Sequence, residues 1–98
     1  MNDYILEIAV FVVKEEYVDD LPEIRAGVRK ELKAFDGFLQ LETCSPATQD
    51  RVFADLARWD NLENARAAAQ AFEDGDPRFL PYLNAIAEVK FFGHFQPS

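Results

Sequence analysis

RVFADLARWDNLENARAAAQAF, residues 51–72, reads as a strand that runs directly into a helix. Apolar and aromatic residues alternate up to Trp59, after which Leu62, Ala65, Ala69 and Phe72 recur at helical spacing. Asp60, with Glu63 three positions on, has the residue types of a helix N-cap. Successive side chains of a strand point to opposite faces, so Phe53, Asp55, Ala57 and Trp59 share one row. A carboxylate and the single tryptophan thus sit in line with a phenylalanine. Either that row faces water, or it lines a cavity that holds something.

Working outward, FLQLETCS (38–45) precedes this unit across the turn-forming SPATQD, which predicts an antiparallel hairpin of strands two and three. YILEIAVFVVK (4–14) has the β-branched and aromatic content of a strand with little solvent contact. Its even row, Tyr4, Leu6, Ile8, Val10 and Val12, is apolar, and its odd row, Ile5, Glu7, Ala9, Phe11 and Val13, carries one acid. Helix one is expected after Asp20, which with Glu23 forms a capping-box pattern, and its stripe is Leu21, Ile24, Val28, Leu32 and Phe35. Gly37 is its expected stop and Gly75 that of helix two. PRFLPYLNAIA predicts a further short helix that Pro81 delays, and VKFFGHFQ (89–96) the last strand, with a bulge at Gly93.

The order βαββαβ predicts a single α+β domain over residues 1–98, a ferredoxin-like four-stranded antiparallel sheet with its helices on one face. The face carrying Phe11, Phe53 and Trp59 then lacks a cover from within the chain. A second copy packing sheet to sheet is the economical solution, so a homodimer is expected, with a cavity between sheet, helices and partner.

The βαββαβ order, FDGFLQLE at the entry to strand two and ARWDNLENARAA at the strand-to-helix junction resemble the dimeric α+β barrel superfamily, and within it the antibiotic biosynthesis monooxygenase family. Gly37, Trp59 and Asp60 stand where that family has a glycine before strand two and a tryptophan with an acidic or polar cap after strand three. The resemblance implies a dimeric α+β barrel and a monooxygenase-like enzyme that uses no cofactor. Cofactor-free members oxidise electron-rich aromatic compounds whose own anion activates O2. The chain departs from the haem-degrading members, which have an asparagine on strand one and a histidine on the helix; of their set only Trp59 is matched.

Composition narrows the classes further. The net charge of −8 over 98 residues disfavours nucleic acid and anionic membranes as partners. No apolar run is long enough to span a bilayer, and the acidic start does not resemble a signal peptide. The single cysteine, Cys44, fits a reducing compartment, so a cytoplasmic location is expected. One His, one Cys and scattered acids give no metal-ligand spacing, and no glycine-rich phosphate loop is present, so neither metal nor nucleotide cofactor is expected.

The candidate site joins Glu7, Asp55 and His94 as acid–base groups to Trp59, Phe11, Phe53 and Phe92 as ligand-binding walls. Each has a plainer reading. Glu7 and Asp55 can pair with Arg58, Lys90 or Arg51, the better-supported alternative; His94 can be a hydrogen-bonded histidine near the chain end; Trp59 can plug the barrel. On the last strand Lys90, Phe92 and His94 are expected to face the cavity, with Val89, Phe91 and Phe95 towards the helices. The functional expectation is a small-molecule-binding protein, read as a cofactor-independent monooxygenase acting on a phenolic or quinonoid compound. A non-catalytic ligand-binding or structural homodimer, and an isomerase or lyase using a pocket carboxylate, are the alternatives.

Overall fold

Alternation and helical periodicity produce the expected elements in the computed structural model, which describes residues 3–98. The strands are β1 (Ile5–Val13), β2 (Phe38–Cys44), β3 (Val52–Trp59) and β4 (Ile86–Phe95), and the helices α1 (Leu21–Leu32), α2 (Leu62–Glu73) and α3 (Leu80–Ala85). The sheet is antiparallel in the order β2-β3-β1-β4, the ferredoxin-like arrangement. β4 begins three residues earlier than its sequence pattern indicates, because Ile86 still pairs with Val13.

The helices cover the opposite face from the one expected. Ile5, Phe11 and Val13 of β1 and Phe53, Asp55, Ala57 and Trp59 of β3 are buried in the chain's own core. They pack with Leu21, Val28 and Leu32 of α1, Ala65 and Ala68 of α2, and Phe79 and Tyr82 around α3. The row of Phe11, Phe53 and Trp59 therefore needs no partner to cover it. The outward face carries Leu6, Ile8, Val10 and Val12, half-buried by their sheet neighbours, and Phe91 and Phe95, which are 46% and 44% exposed. Both rows of β1 are apolar, so alternation alone does not say which one the helices choose.

Two register shifts reset the phase of β4. Val10 faces Phe91 but Phe11 faces Val89, leaving Lys90 as an extra residue; Val12 faces Glu88 but Val13 faces Ile86, leaving Ala87. Val89, Phe92 and His94 consequently share the Glu7 face, while Phe91 and Phe95 lie on the outward one. This corrects the expected row of Val89, Phe91 and Phe95 against the helices, and removes Lys90 from the inward set. Gly93 is regularly paired with Ile8 and is not the bulge. Its missing side chain makes room for the Phe91 and Phe95 rings, which stack 6.0 Å apart.

The helix ends also differ in detail. Asp20 precedes α1 without a side-chain capping bond, so the anticipated capping box does not form there. Asn61, not Asp60, caps α2, accepting the Asn64 amide at 2.8 Å. α1 ends at Leu32, and Gly37 instead forms the turn into β2 at φ +79°. Its carbonyl accepts the Asp60 amide at 2.9 Å, and a Cβ there would collide with Asp60 and Asn64, whose side chains are bonded to each other at 2.8 Å. A glycine before strand two and a polar residue after the tryptophan are thus two halves of one contact.

Candidate functional site

Where the helices fail to close over the sheet they leave a cleft of about 310 Å³. Its floor is Glu7, Ala9 and Phe11 of β1 with Asp55 and Ala57 of β3. Val28 and Leu32 of α1, Ala69 and Phe72 of α2, and Tyr82 and Leu83 of α3 form its walls. Exposed Val89, Phe92 and Glu73 mark its mouth. Its lining residues come from both the sheet and the helices of this chain. The small residues Ala9, Ala57 and Ala69 keep it open, and the aromatic side chains give it flat sides.

Asp55 is the most constrained polar group. Its Oδ2 accepts the Tyr82 hydroxyl at 2.5 Å, and its Oδ1 lies 2.7 Å from Arg25 Nη2 in an ion pair whose angle falls short of a hydrogen bond. Arg25 Nη2 also reaches the carbonyls of Cys44 at 3.0 Å and Ala54 at 3.4 Å, and its guanidinium lies 5.1 Å from the centre of the Phe53 ring. Burial raises the Asp55 pKa, opposed first by the Tyr82 hydrogen bond and then by the Arg25 charge. Tyr82 is held well above its ordinary value, by burial first and then by the Asp55 charge, so its hydroxyl stays protonated and donates.

Glu7 forms the second polar centre. Glu7 and His94 face each other across the β1–β4 ladder, and Glu7 Oε1 lies 2.9 Å from His94 Nε2. An ionised carboxylate can only accept, so Nε2 carries the proton in that pair. Burial raises the Glu7 pKa; His94 opposes it, and the Trp59 indole N–H, which makes no hydrogen bond of good geometry, adds a weaker pull the same way.

Of the candidates named from sequence, Glu7, Phe11, Asp55 and Phe92 line the cleft. His94 stands behind Glu7 and edge-on to Phe92, at 5.3 Å between centroids. Phe53 packs beside Phe11 at 6.5 Å, and Trp59, 0% exposed, meets Phe38 edge-on at 5.5 Å; neither reaches the cleft wall. Asp55 pairs with Arg25 in place of Arg58, Lys90 or Arg51. Arg25 and Tyr82 are the residues that sequence reasoning missed, and both had a signal. Arg25 stands on the apolar stripe between Leu21 and Val28, at spacings of four and three, and Tyr82 lies midway between buried Phe79 and Ala85. A polar residue on a buried helical stripe needs a buried partner.

Among the described residues no group of three or more His, Cys, Asp or Glu could hold a metal ion, and no helix is long and apolar enough to cross a membrane.

No family model matches the chain, and no curated protein matches it in sequence. Solved structures do match in shape. A Bordetella bronchiseptica protein provisionally named an antibiotic biosynthesis monooxygenase superposes with a TM-score of 0.83 at 16% identity, over 99% of both chains. A conserved protein of Methanosarcina mazei Go1 gives 0.74 at 13% identity, covering 98% of this chain and 94% of that one. SnoaB of Streptomyces nogalater, a cofactor-independent oxygenase, gives 0.60 at 18% identity, covering 99% of this chain and 93% of that one. The chain has the ferredoxin-like fold of the antibiotic biosynthesis monooxygenase-like structures.

Proposed function

We propose that the cleft binds a small aromatic molecule and that the protein is a cofactor-independent, monooxygenase-like enzyme for a phenolic or quinonoid compound. The observation that carries this reading is the apolar cleft of about 310 Å³ with a partly desolvated carboxylate, Glu7, in its floor. Deprotonating a phenol favours a base stronger than an exposed carboxylate, and burial shifts Glu7 that way by raising its pKa. A phenolate ring is electron-rich enough to reduce O2 itself, so the protein's part is to bind the ring, take its proton and exclude water. Glu7 is the group placed to touch the ligand; His94 fixes its orientation from behind.

Asp55 is better suited to a positioning role, because Arg25 and Tyr82 already occupy both its oxygens. The same observation favours one second reading, in which the cleft binds its ligand without chemistry. An isomerase or lyase would also rest on Glu7 as the proton-abstracting group.

A second copy is the proposed cover for the outward sheet face. Leu6, Ile8, Val10, Phe91 and Phe95 make it a continuous apolar surface, and a two-fold axis would lay that surface on its own image. A location in the cytoplasm remains the expectation from the single cysteine.

Oxygen uptake with a panel of phenols and naphthols tests the enzymatic reading. Turnover that falls at least a hundredfold in a folded Glu7→Gln variant supports it. Unchanged turnover in that variant removes Glu7 as the base. Ligand binding without oxygen uptake leaves the non-catalytic reading in possession.

A further inference from the structure

The cleft's polar atoms are one-sided in their hydrogen-bonding character. The Tyr82 proton is committed to Asp55 Oδ2 at 2.5 Å, which leaves only the lone pairs of its oxygen for a ligand. Glu7 Oε1 is engaged by His94 and the carboxylate also draws the Trp59 N–H, so the ionised group offers a ligand only lone pairs. The floor strand β1 is paired on both sides, to β3 and β4, so its amides are not available. Among the described residues two buried side-chain donors lack a hydrogen-bond partner of good geometry, Arg25 Nε and Trp59 Nε1, but neither residue lines the cleft.

Charge points the same way. The ionisable lining residues are Glu7, Asp55, Glu73 and Tyr82, all acids. The cations around them are committed elsewhere. Arg25 is paired with Asp55 behind the wall, Arg29 Nη2 donates to the Leu41 carbonyl at 3.1 Å, and Lys90 pairs with Glu88 at 3.2 Å. An anion entering from solvent would meet carboxylates in a low-dielectric slot with no positive group facing it, whereas a phenolate formed in place leaves its proton on Glu7 and adds no net charge.

We propose that the cleft selects uncharged aromatic ligands that bring hydrogen-bond donors, a protonated phenol or an aromatic amine, and rejects both anionic rings and rings that can only accept. This rests on the reading of the cleft as a binding site for an aromatic ligand, and narrows it. Of the phenolic and quinonoid compounds in that reading, the phenol is held, while a quinone, which has only acceptors, meets only acceptors and is excluded.

Three probes on one ring system test it by calorimetry with the intact protein: 2-naphthol, 2-methoxynaphthalene and 2-naphthoate. The titrations are run at about pH 8, where a phenol stays protonated and a carboxylate is ionised. The expected order is naphthol tightest, methoxynaphthalene weaker by about tenfold for the lost hydrogen bond to a charged acceptor, and naphthoate weakest. Glu7→Gln gives the wall a donor and removes a charge, so naphthoate should gain at least severalfold. Naphthoate binding as tightly as naphthol in the unmodified protein overturns the proposal, as does naphthoate affinity that does not rise in a folded Glu7→Gln variant. Equal binding of all three overturns the selectivity but leaves the aromatic cleft standing. Binding of none overturns the cleft as an aromatic site, and this inference with it.

Discussion

Arg25 Nη2 lies 2.7 Å from Asp55 Oδ1, and each side chain is only 7% exposed. The pair ties α1 to β3 beneath the cleft, and Tyr82 joins it from α3. Removing one partner leaves the other charged and buried. Asp55→Ala should therefore cost about 3–5 kcal/mol in urea unfolding. Adding Arg25→Met to it should recover most of that loss, since replacing a whole buried pair by apolar groups is close to neutral. A double variant no more stable than Asp55→Ala alone would show that the arginine is not the problem.

Tyr82→Phe isolates the third member of this network. The ring contacts with Phe11 at 5.5 Å and Phe72 at 5.7 Å survive, and only the hydroxyl is lost. The expected destabilisation is about 1.5–3 kcal/mol, that of a hydrogen bond to a charged group. A loss below about 0.5 kcal/mol, read against the size of effect expected for such a bond, would mean that the Tyr82–Asp55 contact is replaceable by water.

The two acids in the cleft floor predict a sign for the pH dependence of stability. Burial raises both Glu7, from an ordinary 4.5, and Asp55, from 3.8, so the folded state holds these protons more tightly than the unfolded chain does. Unfolding then releases protons, and stability falls as pH rises from those ordinary values through the raised ones, levelling off above them. Glu7 faces His94 and Trp59, Asp55 faces Arg25 and Tyr82, and all four partners soften the effect without reversing it. Glu7→Gln should shallow this decline in urea midpoints measured from acid to neutral pH. A slope identical to that of the unmodified protein would contradict it. Asp76 acts in the opposite sense and a separate window: Arg78 holds it at about 2, so its contribution is lost only as pH falls below 3.8.

Two glycines with positive φ give a matched comparison. At Gly75, φ +71°, an added methyl would meet no atom within 4 Å, so Gly75→Ala should cost only the left-handed backbone penalty of about 1–2 kcal/mol. Gly37→Ala adds a collision with Asp60 and Asn64 to the same penalty. It should be clearly the worse of the two in thermal unfolding. Equal losses would mean that the β2 entry relaxes without disturbing the start of α2.

The outward sheet face yields a test of assembly. Ile8→Lys places a charge on this face, on the inner strand β1 and opposite Gly93, without touching the cleft. Sedimentation should report a dimer for the unmodified protein and a monomer, still folded by circular dichroism, for the variant. A monomer in both would remove the second copy as the cover of that face.

Local patterns in the chain were enough to define the elements and their order. Alternation over 5–13 and 52–59 and the stripes of the two long helices are properties of a few consecutive residues, and the hairpin and the order βαββαβ follow from them. Asp55 also declared itself, as a carboxylate in an apolar row. What lay beyond the sequence was decided by contacts between distant segments. The two rows of β1 are nearly equal in hydrophobicity, so the face that receives the helices is fixed only when the whole sheet packs. The phase of β4 depends on extra residues at Lys90 and Ala87, which shift His94 and Phe92 onto the Glu7 face and Phe91 off it. The partner of Asp55 comes from Arg25, thirty residues away by number but adjacent once α1 crosses β3. Side-chain period is written locally, but charge pairing and the side of a sheet that stays dry are settled by the fold as a whole, because burial is a property of surfaces brought together and not of any single stretch.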